Sequence, residues 1–216
     1  MKNIIFIAPP GGGKGTQSEM LASEFGYEHI SSSILLRKIA KEDTPFGRDM
    51  KERLSTGEFI SDEIVDKLIR EALEKIGNRK FILDGYPRKL HQAYNLETIF
   101  DELNITDIIA IYLNIEKEVA IQRILTRITC CECGASYSRD NDALKPKQEG
   151  ICDKCRSPLE KRDDDTVETL EIRFENYQEK TAPILDFYRY QGILREVKAE
   201  EEAKDTYKNL KLILEE

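Results

Sequence analysis

Residues 7–17 read "IAPPGGGKGTQ", and the fold turns on how this stretch is read. A short β-branched run, "NIIFIA" at 3–8, precedes it, and a helical pattern at 14–25 follows. Strand, glycine-rich loop and helix form the setting in which G-x-x-x-x-G-K-[ST] cradles phosphate groups. Gly11, Gly12 and Gly13 allow backbone N–H groups to turn toward phosphate oxygens, and the helix N-terminus adds partial positive charge. Lys14 supplies a point charge for terminal phosphates, and Thr16 offers its hydroxyl to a phosphate or a magnesium shell. Two positions depart from the pattern. Ala8 stands where the first glycine is expected, and Gly15 where Ser or Thr is usual.

Beyond the loop, apolar runs alternate with amphipathic stretches. "YEHI" (27–30), "KFILD" (80–84), "DIIAIYLN" (107–114) and "ILREV" (193–197) read as further strands. Helical patterns fall at 47–56, 61–77, 89–103, 116–129, 166–190 and 203–214. The near-continuous apolar character of the first, third and fourth strands predicts parallel strands covered on both faces. The alternation predicts a doubly wound α/β fold around a five-stranded sheet. Two stretches interrupt it: a small helical insertion at 31–60, and a cysteine-bearing lobe at 128–163 with few aliphatic residues. The core is then 1–30, 61–127 and 164–216. The charged runs "EKRDDD" (160–165) and "KAEEEAKD" (198–205) read as solvated loops or helix starts.

The chain has 216 residues, 40% apolar and 34% charged, enough for one sizeable core. A net charge of −8 argues against nonspecific binding to nucleic acid or an anionic membrane. No apolar run approaches the ~18 residues of a membrane span, and the run near the N-terminus is too short for a signal-peptide core. A cytoplasmic protein with neither membrane nor nucleic acid as partner is expected.

The five cysteines all lie between Cys130 and Cys155. Cys130-x2-Cys133-x18-Cys152-x2-Cys155 has the spacing of a structural zinc site closed by four thiolates. Cys131 is left over, and disulfides are the alternative. A zinc ribbon is also a nucleic-acid module, but the charges of 130–163 balance and Tyr137 is their one aromatic residue.

In "FILDGYPR" (81–88) a strand delivers Asp84 to its C-terminal end, where ligands bind in open α/β sheets. Asp84 beside the phosphate loop suits Mg²⁺ held through water. Gly85 and Pro87 make the turn, and the fork of Arg88 suits a phosphate. Arg123 and Arg127, four apart in "VAIQRILTR", are predicted to share one helix face. Arg162 and Arg173 bracket the start of a long helix, where Asp165 and Glu168 are candidate capping residues. His29 and His91 fit no catalytic role and read as structural.

Taken together, "PPGGGKGTQ", "FILDGYPR" and "TLEIRF" with "YQEKTAP" resemble the nucleoside monophosphate kinases, and adenylate kinases above all, from about residue 2 to 214. Gly-Lys-Gly-Thr is that family's form of the loop, which absorbs the departure at Gly15 but not that at Ala8. The resemblance implies a P-loop NTPase-like core, a helical AMP-binding insertion and a zinc lid, and the reaction Mg·ATP + AMP ⇌ 2 ADP by a monomer. ATP would meet Gly11, Gly12, Gly13, Lys14, Gly15, Thr16, Arg123, Arg127, Ser136 and Tyr137. AMP would meet Ser32, Arg37, the backbone of Glu58, Phe59 and Ile60, then Gly85, Tyr86, Pro87, Arg88, Gln92, Arg162 and Arg173. Lys14, Asp84, Arg88, Arg123, Arg127, Arg162 and Arg173 would surround the moving phosphoryl group. The chain departs from the family at Ser33 and Ile34, since an aspartate that orders magnesium-bound water usually stands where Ile34 does. It departs again in the loop at 197–204, which lacks the usual glycine near the ATP base. Two other functions remain open at this point: a kinase with UMP or CMP as acceptor, and a nucleotide-binding homologue of little or no activity.

Overall fold

Every residue of β1 (Asn3–Ile7) is buried, and alternate side chains face opposite ways. Ile5 and Ile7 enter one core cluster, Ile4 and Phe6 the other. This strand is the centre of a computed structural model that describes residues 1–56, 60–199 and 202–215. After β1 come α1 (Lys14–Phe25), β2 (Glu28–Ser31), α2 (Ser32–Ala40), α3 (Pro45–Thr56), α4 (Asp62–Ile76), β3 (Phe81–Asp84) and α5 (Leu90–Glu102). Then follow β4 (Ile108–Asn114), α6 (Lys117–Leu125), β5 (Arg127–Cys130), β6 (Ser136–Ser138), β7 (Leu159–Glu160) and α7 (Val167–Asn176). A π-helical turn, Tyr177–Thr181, leads into α8 (Pro183–Tyr190), β8 (Leu194–Lys198) and α9 (Ala203–Glu215).

Five strands form one parallel sheet in the order β2-β3-β1-β4-β8. Helices cover both faces, as the double apolar register of β1 requires. Val65, Ile69 and Leu73 of α4, Leu96, Ile99 and Phe100 of α5 and Ile184 and Tyr188 of α8 pack on one face. Leu21 of α1 and Tyr207 and Leu210 of α9 pack on the other. This is the doubly wound α/β architecture that the alternation predicts. The chain moves to one side of β1 through β2 and β3 and to the other through β4 and β8, so the loop after β1 sits where the winding reverses.

The 31–60 insertion holds α2 and α3, and the cysteine lobe is a three-stranded antiparallel sheet, β6-β5-β7. Its small apolar cluster is Cys130, Ala135 and Cys152, with Cys133, Tyr137 and Leu159 against it. No described helix is long and apolar enough to cross a membrane.

Three local expectations are corrected. The helix predicted over 116–129 ends at Leu125, and Arg127, Ile128 and Thr129 pair instead with Ser136–Ser138. β-branched residues favour the pleated surface, and Arg127 therefore does not share a helix face with Arg123. The helix predicted over 166–190 is interrupted at Tyr177–Thr181 and restarts with Pro183 in its first turn, where the missing N–H costs no bond. The cap of α7 is not made by Asp165 and Glu168. Thr166 and Thr169 bond reciprocally in a capping box.

Candidate active site

Ala8 follows the buried central strand without backbone strain. Among the described non-glycine residues, positive φ is confined to Asn104, Asp107 and Arg156. Its methyl group lies 2.5 Å from where a Cβ on Gly12 would fall, so the extra carbon at 8 is accommodated because position 12 has none. Gly13, at φ 84°, turns the chain into α1. Lys14 Nζ lies beneath this loop and donates to the carbonyls of Ala8 (3.0 Å) and Pro9 (3.4 Å). Burial pushes the Lys14 ammonium down to about 8, with Asp84 opposing the shift and Arg88, Arg173 and Arg127 adding to it.

Asp84, the last residue of β3, stands beside this lysine. Burial raises its carboxyl, but the hydrogen bond and charge of His29, with Lys14 and Arg88, hold it below the ordinary carboxylate value. His29 Nε2 is 3.1 Å from Asp84 Oδ2, so this histidine, read as structural, touches an acid of the cleft. The turn after β3 is tight, and its Tyr86–Pro87 peptide is cis. Arg88 folds back over it, Nε donating to the Gly85 carbonyl at 2.8 Å and Nη2 to Ser33 Oγ at 3.2 Å.

The arginines are held by two acids that the sequence places in a solvated run. Asp164 and Asp165 are 8% and 0% exposed. Arg37 Nη2 donates to both oxygens of Asp164 at 2.9 Å, Arg127 takes Asp165 with two bonds, and Arg173 Nη1 reaches both residues. Arg162 Nε donates to Thr129 Oγ1 at 3.0 Å, and burial, with Arg127 and Arg37 nearby, pushes it down to about 9. Unbalanced positive charge crowded into a buried space is an anion site.

Two cavities open on this cluster. The larger, about 450 Å³, is lined by the glycine loop, Lys14, Thr16, Asp84, Arg37, Arg123, Arg127, Arg162, Ser136 and Tyr137. The smaller, about 140 Å³, is lined by Ser32, Leu36, Ile60, Gly85, Pro87 and Gln92. Lys14, Arg88 and Arg173 line both. Tyr86 lines neither. It is fully buried and donates to Asp66 Oδ1 at 2.6 Å. Glu58 and Phe59 lie outside the described residues, as do Glu200 and Glu201 of the 197–204 loop. Ala203, which starts α9 within that stretch, and Thr206 after it line the larger cavity, and the Ala203 carbonyl accepts from Gln17 Nε2 at 2.9 Å.

Cys130, Cys133, Cys152 and Cys155 present four sulfurs within 4.8 Å of one another, and none forms a disulfide. Four soft thiol donors so gathered fit one tetrahedral zinc ion. Cys131 takes no part in the group. Between the first pair of cysteines, Glu132 meets Nζ of Lys41, the residue that caps the end of α2, at 3.0 Å. Between the second pair, Lys154 Nζ meets Glu19 of α1 at 3.0 Å. The family-atypical Ile34 packs on Gly134, where a Cβ would fall 2.9 Å from its side chain.

The family model of adenylate kinase matches residues 6–193. The chain belongs to the adenylate kinase family. Among curated adenylate kinases, that of Archaeoglobus fulgidus is 38% identical over 214 residues, covering 99% of this chain and 98% of the relative. That of Carboxydothermus hydrogenoformans is 36% identical over 213 residues, with 98% and 99% covered. That of Geobacillus sp. strain WCH70 is 35% identical over 213, with 98% of each. Against this adenylate kinase framework, sequence reasoning missed Asp164, Asp165 and His29. The signal for the first two was present in "RDDD", an acidic run between arginines, but their partners at 37 and 127 are distant in sequence.

Proposed function

We propose that this member of the adenylate kinase family performs Mg·ATP + AMP ⇌ 2 ADP with ATP in the larger cavity and AMP in the smaller. It is a kinase, and phosphoryl transfer between ATP and AMP is its reaction. Residues 1–30, 61–127 and 164–216 are the core, 31–60 the AMP lobe and 128–163 the lid. The observation that carries this reading is the shared wall. Lys14, Arg88 and Arg173 face both cavities, so a phosphoryl group between them is neutralised throughout its passage.

The attacking AMP oxygen is already ionised at neutral pH, so no general base is needed. Lys14, Arg123 and Arg127 hold the donor phosphates against the N–H groups of Gly11 to Thr16. Arg88 and Arg173, on the wall of the smaller cavity, hold the acceptor phosphate, Arg37 and Arg162 face it from the larger cavity, and Ser32 and Gln92 receive its base. Ile60 belongs to the acceptor pocket, and Ser136 and Tyr137 to the donor side of the lid. Adenylate kinases use Mg²⁺ with ATP, where it neutralises the phosphates. Asp84, kept ionised in the cleft, would accept from a water on the ion, and Ser33 and Ile34 add no acid. Cys130, Cys133, Cys152 and Cys155 would hold a zinc ion, which would supply the cross-link that a lobe with so small a core lacks. Closure of the lid excludes water, which otherwise hydrolyses ATP. The described lining of both cavities comes from one chain, which supports a monomer, and thiols gathered for metal rather than paired support the cytoplasm.

The test is ADP formation from Mg·ATP with AMP, UMP, CMP or no acceptor. Rapid ADP formation with AMP alone is expected. Absence of transfer to any acceptor, by protein that still binds ATP, would overturn the reading.

A further inference from the structure

Gln92 commits both ends of its side-chain amide. It is 2% exposed, and its Oε1 accepts from the Arg88 N–H at 2.8 Å while its Nε2 donates to Asp62 Oδ1 at 2.6 Å. A backbone N–H only donates and a carboxylate only accepts. The reversed amide would set two donors face to face and an oxygen against a carboxylate, so these partners fix which way the amide points. Asp62 is itself gripped from the other side, with Lys89 Nζ 2.9 Å and His91 Nε2 2.8 Å from its Oδ2.

One acceptor site on Oε1 and one N–H on Nε2 remain on a residue that lines the smaller cavity. Ser32 lines it too, and its hydroxyl hydrogen is directed to the Gly85 carbonyl at 2.7 Å, which leaves the oxygen as an acceptor. The edge offered to a base is therefore polarised. A 6-amino purine presents a donor at position 6 and an acceptor at N1, which pairs with this edge. A 6-oxo purine presents an acceptor at position 6 and a donor at N1, which opposes it.

We propose that Asp62 is a specificity-determining positioning residue. By fixing the orientation of the Gln92 amide it makes the acceptor site select a 6-amino purine nucleotide over a 6-oxo one. This rests on the reading that places AMP in the smaller cavity. Asp62 touches no substrate and acts through Gln92.

The experiment compares kcat/KM for AMP and IMP in the full-length protein and its Asp62→Asn, Asp62→Ala and Gln92→Ala variants. The wild type is expected to favour AMP by about a hundredfold or more, since a site built on fixed hydrogen bonds rejects a mismatched partner strongly. In Asp62→Asn, Lys89 claims the new amide oxygen, which turns Nδ2 toward Gln92 and favours the reversed Gln92 amide. Both Asp62 variants are expected to lower the AMP-to-IMP ratio by about tenfold or more, the scale of one unsatisfied buried polar group. KM for AMP should rise and KM for ATP stay unchanged. Both acceptors are assayed on one preparation, so a smaller folded fraction cancels from the ratio. If Gln92→Ala leaves KM for AMP unchanged, the placement of AMP fails. If Gln92→Ala raises it but both Asp62 variants keep the wild-type ratio, the inference is overturned and the placement stands.

Discussion

Asp165 is fully buried and binds Arg127 through two bonds, Nη2 to Oδ1 at 2.6 Å and Nε to Oδ2 at 3.0 Å. Arg173 reaches the same Oδ1 at 3.3 Å. One carboxylate thus stands in for phosphate, holding two arginines in place before any nucleotide arrives. Removing it leaves buried positive charge uncompensated. Asp165→Ala should cost the nucleotide-free protein about 3–5 kcal/mol. Bound phosphates replace the lost charge, so saturating ATP should raise the melting temperature of the variant more than that of the wild type. Equal shifts in the two proteins would contradict this account.

Burial pushes the Lys14 ammonium down to about 8. Phosphate oxygens favour its charged form and raise that value on binding. At pH 7 the lysine is already mostly protonated and binding takes up little. Between pH 8 and 9.5, ATP binding should take up a substantial fraction of a proton, and affinity should fall as pH rises. Calorimetry in buffers of different ionisation enthalpy measures the uptake directly. Lys14→Met should abolish it and lower kcat by about a hundredfold or more.

How the glycine loop accepts Ala8 predicts a coupling. Gly12→Ala would drive its methyl to 2.5 Å from that of Ala8 and 3.1 Å from the Pro9 carbonyl. The loop must shift, and kcat/KM should fall more than tenfold, the scale of a displaced phosphate cradle. Ala8→Gly alone should keep activity and lose about 1 kcal/mol of stability from one buried methyl. In the double variant Ala8→Gly/Gly12→Ala, activity should recover part of the loss. A double variant no better than Gly12→Ala would show that the two positions do not interact.

Metal removal should separate the four clustered cysteines from the fifth. The purified protein should hold one zinc ion per chain by elemental analysis. Cys133→Ser should lower both zinc content and melting temperature, because zinc contributes on the order of 10 kcal/mol in small metal domains. Cys131→Ser should change neither. A chelator that strips the ion should reproduce the Cys133→Ser melting curve.

The sheet was legible because parallel strands buried on both faces are written as near-continuous apolar runs, and "NIIFIA", "KFILD" and "DIIAIYLN" exceed β1, β3 and β4 by a single residue each. Arg127 was misplaced for a physical reason. Ile124 and Ile128 sit four apart and extend the helical period across Thr126, where the chain leaves the helix for a hairpin that only Ser136–Ser138 completes. Asp164 and Asp165 read as solvated because a charge run shows its own sign but not its partners, and Arg37 lies 127 residues from Asp164. His29 was silent likewise, since its contact with Asp84 exists only once β2 lies beside β3.

Glu132 and Lys154 occupy the same place, third of four, in the two Cys-x2-Cys segments, with opposite sign. Their partners are opposite too: Lys41 on one bank of the cleft and Glu19 on the other. Reversed end for end, the cysteine arm would set Glu132 against Glu19 and Lys154 against Lys41, two repulsions in place of two attractions. Each exposed pair is weak, but together they give the arm a polarity, as the pins of a plug do, and the charges on Lys41 and Glu19 match it in this sense and oppose it in the other.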